Sequence, residues 1–285
     1  MYDVIVIGAG PAGISAALYV KRSNKDVLVL YSGESQLEKA HKIDNYYGFP
    51  NGISGKELYN NGIEQAKNLG VDVKCEEALN VAMNASLNYE VTTTSGKYES
   101  KALILSTGNK KIKPKIDGIE EFDGKGISYC AICDGFFYRN KNVAVIGNGD
   151  YALSEAADLE NIVGNITILT DSLPAPEDCK YDVISKKIKR IYGDATVKGV
   201  EFEDGEKLEI SGLFVALGSA GGADFAKKLG IVLDGDSIKT NSDMSTNIPG
   251  AFSCGNINGG LLQVCKAVYE GAQAGLSAIS YIKNK

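Results

Sequence analysis

Short unbroken apolar runs, most of them closed by glycine, set the rhythm of this chain. Val4-Ile5-Val6-Ile7 is the first, Val27-Leu28-Val29-Leu30 the second, and Val143-Ala144-Val145-Ile146 recurs at mid-chain. Aliphatic, largely β-branched runs without polar alternation predict parallel strands buried on both faces. Two of them lead straight into a turn and a helix. Gly8-Ala9-Gly10-Pro11-Ala12-Gly13 gives way to Ile14–Val20 at helical spacing, and Gly147-Asn148-Gly149-Asp150-Tyr151-Ala152 to a helical stretch over Leu153–Leu159. Near the C-terminus, Gly250–Asn256 reads as a strand ending in a glycine-rich turn. Small and apolar residues at helical spacing from Gln263 to Ile282 predict a closing helix that returns to the first lobe. Two strand–turn–helix starts point to an α/β fold of two Rossmann-like nucleotide-binding lobes. The polar, basic, proline-containing segment Asn109–Lys115 suits a linker, and a second crossing is expected between Thr240 and Pro249. One lobe is therefore expected to span 1–112 and 246–285, with the other, 113–245, inserted in it.

The first turn carries cofactor chemistry. Gly8 allows the tight bend, Gly10 lets the backbone approach a pyrophosphate, and Gly13 lets helix pack on strand. The helix N-terminus, opening at Pro11 and Ala12, offers free N–H groups and a positive dipole end to phosphate. The bland alternative is a glycine-rich turn without a ligand. The acidic ribose partner of an NAD site is expected about 20 residues on. The second strand instead ends in Tyr31, with Glu34 nearby, so NAD gains no support here.

Composition narrows the partners. The 285 residues, 30.3 kDa, carry a net charge of −6 and a pI near 5.1. An acidic balance argues against nucleic acid or an anionic membrane as the main partner. No apolar run reaches the roughly 18 residues of a membrane span, and no basic segment precedes the first apolar run, so a cytoplasmic location is expected. Six cysteines in a chain of this length are no disulfide framework; in a reducing compartment a close pair is catalytic or metal-binding.

That pair is Cys130-Ala131-Ile132-Cys133, followed by Asp134-Gly135. Cysteines two residues apart can close a small disulfide ring, and the motif commonly lowers one thiol pKa. Zinc needs four ligands, and with one histidine, His41, and no second close pair, no metal site is expected. The scarcity of histidine leaves Asp134 as the candidate proton donor; its alternative role is a turn residue before Gly135.

The order of these features resembles the low-molecular-weight thioredoxin reductase family over nearly the whole chain. The resemblance is carried by Val6–Gly13, Asp44–Pro50, Ser106-Thr107-Gly108, Ser128–Gly135 and Pro249–Asn256. It implies an FAD lobe formed by both chain ends, an inserted lobe bearing the cysteines, a homodimer, and thioredoxin as substrate. By the same carry-over Cys133 faces the flavin, Cys130 is the exchange thiol, and Asp134 matches the proton donor. Gln36, Asn45, Ala78, Thr107, Gly108, Gly255, Asn256, Gln263 and Val264 match cofactor-contact positions, beside the fingerprint residues Gly8, Gly10, Pro11, Ala12 and Gly13.

The departures from that family fall on the nicotinamide side. The family follows its second fingerprint with arginines that clamp the NADPH 2′-phosphate. This chain reads Thr170-Asp171-Ser172 there, with Glu177, Asp178 and Asp182 close by, and holds only three arginines, Arg22, Arg139 and Arg190. Tyr151 replaces a small turn residue, and the lobe is shortened. Either the nucleotide site is vestigial, or Asp171 is the ribose acid of an NADH site; the first is favoured. These departures resemble ferredoxin-dependent flavin thioredoxin reductases, which implies reduced ferredoxin as donor, electrons passing through FAD to Cys130–Cys133 and on to thioredoxin. An NADH- or NADPH-dependent enzyme, a disulfide oxidoreductase fed by another flavin, and a flavin redox sensor are the alternatives. The family's Gly-Asp pair is Gly255-Asn256 here, and its Arg-Gln-Ala turn is Leu262-Gln263-Val264. Two basic runs, Lys110–Lys115 and Lys186–Arg190, are candidate docking points for an acidic carrier, or else a solvated linker and a solvated helix face.

Overall fold

The computed structural model describes residues 1–33, 35–108, 114–177, 179–218, 221–235 and 237–285. The expected linker falls mostly on 109–113, outside the described residues, as do Glu34 and Asp178. The chain divides into two compact units, Met1–Lys110 with Gly221–Lys285, and Lys111–Ala220.

The first unit opens with β1 (Tyr2–Ile7), α1 (Pro11–Arg22) and β2 (Val27–Tyr31). It continues with α2 (Gly55–Asn68), β3 (Asp72–Cys75), β4 (Ala78–Met83), β5 (Tyr89–Thr93) and β6 (Gly96–Leu105). Both apolar runs form central strands, Val4–Ile7 and Val27–Leu30 being almost wholly buried. In the seven-stranded sheet the order is β3-β2-β1-β6-β5-β4. β1 pairs in parallel with β2 and with the second half of β6, while β4 and β5 form an antiparallel extension.

The second unit holds β7 (Ile127–Ser128), α3 (Ala131–Asp134), β8 (Asn142–Ile146), α4 (Asp150–Leu159), β9 (Asn165–Leu169) and β10 (Asp182–Ile184). An antiparallel meander follows, β11 (Ile188–Gly193), β12 (Val197–Phe202) and β13 (Lys207–Glu209), then β14 (Gly212–Val215). The parallel sheet runs β10-β9-β8-β14-β7. The run Lys186–Arg190 therefore leads into strand β11 rather than a helix. Ile188 and Ile191 point into the core beneath the meander, an alternation that a charge count does not reveal.

The chain returns to the first unit through α5 (Gly222–Leu229), the β15–β16 hairpin (Leu233–Asp234, Ser237–Ile238), β17 (Ala251–Ser253) and α6 (Val264–Asn284). The return lies at Gly221, earlier than the boundary expected at 245/246. Long-range packing is the reason. A Cβ on Gly222 would stand 2.5 Å from Thr107 Oγ1 and 3.0 Å from Ile257, so α5 is seated on the first unit. The Asn247 side chain ties its exit down, accepting the Val232 N–H and donating to the Gly230 carbonyl, each at 2.9 Å. β17 completes the parallel core beside β6. α6 lies on α1 through small residues: a Cβ on Gly271 would meet the Ala12 carbonyl oxygen at 2.1 Å, and one on Gly275 the Ala16 carbonyl at 2.7 Å.

Candidate functional site

Most of the sequence-selected cofactor residues gather at the carboxyl ends of the parallel strands of the first unit, where open α/β sheets bind ligands. Gly8–Gly13 leave β1, Thr107-Gly108 leave β6, and Gly255-Asn256 leave β17. Each glycine of the fingerprint has a distinct physical reason. Gly8 has φ +112°, and a Cβ there would lie 2.4 Å from the Ser106 carbonyl oxygen. A Cβ on Gly13 would lie 1.9 Å from the Gly8 carbonyl oxygen, so only glycine lets α1 sit this close. Among the described residues, a Cβ on Gly10 would meet nothing within 4 Å. The described protein packing does not require glycine there; open space at the turn, where α1 begins with its first N–H groups on Ala12 and Gly13, fits a pyrophosphate.

The strand ends are fastened to one another. Ser106 Oγ lies 3.0 Å from the Ile7 and Gly8 carbonyls. A Cβ on Gly255, at φ +87°, would reach 2.8 Å from Ala12 Cβ. Asn45 Nδ2 donates to Gln263 Oε1 at 3.0 Å across 218 residues, at the N-cap of α6. Gln36 is exposed in the turn after β2, Val264 opens α6, and Ala78 is buried at the start of β4. This cradle fits a dinucleotide such as FAD.

Two residues that the sequence did not single out hold the β17 turn. Lys266 Nζ donates to the Gly255 and Gly259 carbonyls at 3.0 and 2.5 Å, and pairs with Glu270 at 3.2 Å. Glu270 Oε2 accepts the Gly255 N–H at 2.8 Å. A lysine in the first turn of a helix opposes the dipole, which was the legible signal. Burial, aided by the Glu270 charge, pushes the neighbouring Cys254 thiol far up.

In the second unit Cys130 and Cys133 form a disulfide, with α carbons 5.4 Å apart. They flank α3: Cys130 is its N-cap, and its Sγ accepts the Cys133 N–H at 3.3 Å. Cys130 is 1 % exposed, whereas Cys133 is exposed. The sulfur reached from outside in this arrangement is that of Cys133. Ser128 Oγ accepts the Cys130 N–H at 3.1 Å and donates to Asp134 Oδ2 at 2.7 Å. Asp134 is thus held beside the pair by a hydroxyl, which a simple turn role does not need.

The second glycine turn keeps its shape. Gly147 packs against the Ala216 carbonyl, and a Cβ on Gly149, as on Gly10, would meet nothing within 4 Å among the described residues. The charged residues that follow this turn in the sequence are committed to one another. Asp171, at φ +50°, accepts the Ile188 N–H at 2.8 Å and Lys187 Nζ at 2.6 Å. Arg190 donates to Glu201 Oε2 through Nε and Nη2, at 2.9 and 2.7 Å, and Lys189 Nζ reaches Oε1 at 2.7 Å. These two cations hold the Glu201 carboxyl down at about 2. Lys186 pairs with Asp204 and Glu206. The basic run is therefore neutralised strand by strand, which removes the charge argument for docking an acidic carrier there. Tyr151 is 2 % exposed, so its ring is packed against protein rather than standing free, and the case against a nucleotide rests on charge.

Comparison with known proteins agrees with this geometry. Residues 2–175 and 183–271 match the pyridine nucleotide-disulphide oxidoreductase family. A thioredoxin reductase of Aquifex aeolicus is 33% identical over 100% of this chain and 94% of its own length. Among solved structures, an atypical thioredoxin reductase from Desulfovibrio vulgaris Hildenborough is 37% identical, with a TM-score of 0.94 over 100% of this chain and 99% of that one. A ferredoxin-flavin thioredoxin reductase from Clostridium acetobutylicum is 30% identical, with a TM-score of 0.73 over the same shares.

Proposed function

The chain belongs to the pyridine nucleotide-disulphide oxidoreductase family, in its thioredoxin reductase branch, and from that premise we propose a flavin-dependent thioredoxin reductase whose electrons come from reduced ferredoxin. Membership makes it an FAD-dependent disulfide oxidoreductase. FAD, when bound, accepts electrons singly and releases them as a pair. Gly8, Gly10, Gly13, Thr107, Gly108, Gly255, Asn256 and Gln263 hold the cofactor. Cys130 and Cys133 carry the pair of electrons to thioredoxin, and Asp134, oriented by Ser128, supplies and takes the proton. Cys130 as exchange thiol requires that α3 present a sulfur buried in this structure; Cys133 is the sulfur already open.

The observation that carries the ferredoxin reading is the pairing of the charged residues that follow the second glycine turn in the sequence. An NADPH 2′-phosphate bears nearly two negative charges at neutral pH, by analogy with phosphate monoesters. Arg190, the sole arginine downstream of that turn, is already spent on Glu201. Each charged hydrogen bond forgone is worth about 1.5–3 kcal/mol. The NADH alternative loses its acid as well, because Asp171 closes its own loop onto Ile188 and Lys187. The relative from Clostridium acetobutylicum supports ferredoxin by its name. The same reading implies a homodimer in the cytoplasm, which light scattering and cell fractionation check.

Anaerobic stopped-flow reduction of the bound flavin by ferredoxin, NADPH and NADH tests the donor. Ferredoxin is expected to bleach the flavin at a rate matching thioredoxin reduction, with both pyridine nucleotides far slower. Bleaching by either nucleotide at the turnover rate overturns the reading.

A further inference from the structure

Lys266 and Glu270 run against the preferences of the helix that carries them. Lys266 stands in the first turn of α6, where a cation opposes the helix dipole. The cation precedes its acid by four residues, the less favourable order on a helix surface. Both side chains are also largely withdrawn from water, 15 % and 11 % exposed, at a cost in desolvation. What offsets these costs lies outside the helix. Lys266 Nζ reaches the Gly255 and Gly259 carbonyls and Glu270 Oε2, and that same oxygen takes the Gly255 N–H. Asn256, which matches a cofactor-contact position, lies between the two clamped carbonyls, and its own carbonyl accepts the Gly259 N–H at 3.0 Å. Lys266 also follows closely on Gln263 and Val264, the second cofactor-contact stretch, at the start of α6. One side chain therefore fastens these two stretches to each other.

We infer that Lys266, backed by Glu270, is a positioning residue for FAD: it clamps the turn after β17 to the first turn of α6, so that Asn256 is presented to the cofactor in a fixed place relative to Gln263. The inference rests on the first unit being the FAD site of the proposed enzyme. The turn needs such a clamp because of its composition. Gly255, Gly259 and Gly260 hold φ of +87°, +71° and +69°, and glycine has more conformational freedom to lose than any other residue. With the lysine in place, that freedom is removed when the unit folds. Without it, two carbonyls lose their donor, and FAD itself must order the turn on binding. Ordering a segment on binding subtracts from affinity, whereas a preformed contact does not. The lysine thus touches no cofactor and acts through the backbone on either side of Asn256.

The test is a double-mutant cycle on FAD affinity. Holoenzyme, Lys266→Met, Asn256→Ala and the combination of the two would each be diluted serially, and the free FAD passing an ultrafiltration membrane counted by its fluorescence. Methionine keeps a long unbranched stem and removes the donors. Lys266→Met is expected to weaken FAD binding by about tenfold or more. Asn256→Ala is expected to cost about tenfold in the unaltered enzyme and less than about threefold in the Lys266→Met background, because residues acting through one turn are not additive. An Asn256→Ala cost that is equal in both backgrounds or absent from both overturns the inference, as does a Lys266→Met affinity equal to that of the unaltered enzyme. A lysine that served only the stability of the fold would lower the melting temperature and leave this coupling at zero. If Lys266→Met does not fold, Lys266→Met with Glu270→Met takes its place in the cycle, since it leaves neither member of the pair buried alone. Loss of the fold in that protein too assigns the pair to stability and overturns the inference. Failure of the unaltered chain to bind FAD would sink the proposed function instead.

Discussion

Ser128 holds both ends of the redox turn, accepting the Cys130 N–H and donating to Asp134. Ser128→Ala removes both bonds, and a hydrogen bond to a charged group is worth about 1.5–3 kcal/mol. Thioredoxin reduction is expected to fall about tenfold or more, with FAD content unchanged and partial rescue by Ser128→Thr; steady-state rates beside the flavin absorbance check this. Cys130→Ser and Cys133→Ser should each abolish the activity and leave FAD bound. The remaining thiols divide by environment. Cys75 and Cys265 are exposed, whereas Cys254 is buried with its thiol pushed far up by desolvation and Glu270. Native-state alkylation is expected to modify the first two and spare Cys254, and rapid labelling of Cys254 would contradict the Gly255–Glu270 arrangement.

At the level of elements, the contact of α1 with α6 depends on missing side chains. Glycine inside a helix costs about 0.5–1 kcal/mol relative to alanine, and here Gly271 offsets that by letting α6 rest on the Ala12 carbonyl. Gly271→Val should separate the helices beside the Gly8–Gly13 turn, so FAD binding is expected to weaken at least tenfold, read by fluorescence on reconstitution. The β11–β12 pair shows the opposite strategy, in which a carboxylate is held by two cations. Lys189 and Arg190 lower the Glu201 carboxyl from 4.5 to about 2. A folded-state value below the ordinary one means that the stabilisation is present above pH 4.5 and is lost as pH falls toward 2. Glu201→Gln should therefore lower the melting temperature at pH 7, and the difference from the unaltered protein should shrink through that window.

Across the whole molecule, ligand linkage separates the two units. FAD contacts assigned to the first unit stabilise its folded form by RT ln(1 + [FAD]/Kd), about 2.7 kcal/mol at a hundredfold excess over Kd. Calorimetry of the FAD-stripped and FAD-loaded protein is expected to show the transition of Met1–Lys110 with Gly221–Lys285 moving upward, while that of the inserted unit moves little. Equal shifts in both would mean that the units unfold together.

What the amino-acid sequence determined by itself was local chemistry. The Gly8–Gly13 turn and the Cys130–Cys133 pair are each contained in a few consecutive residues, and buried parallel strands announce themselves as uninterrupted apolar runs. The α/β class and the insertion of one unit within the other followed from that order. Tertiary structure decided what depends on residues far apart. The return crossing at Gly221 follows from the fit of Gly222 against Thr107. The Lys186–Arg190 run, read from the sequence as a docking point or a solvated helix face, leads into strand β11, and its cations are paired with carboxylates on β12 and its turn and with Asp171. Asp171, which spacing offers as a ribose acid in the less favoured of two readings, closes its own loop. Glu270 and Lys266 gain their meaning only from the backbone groups they reach, Gly255 N–H in one case and the Gly255 and Gly259 carbonyls in the other. A hydrogen bond needs its partners within about 3 Å, and no one-dimensional pattern specifies which distant residue folding brings that close.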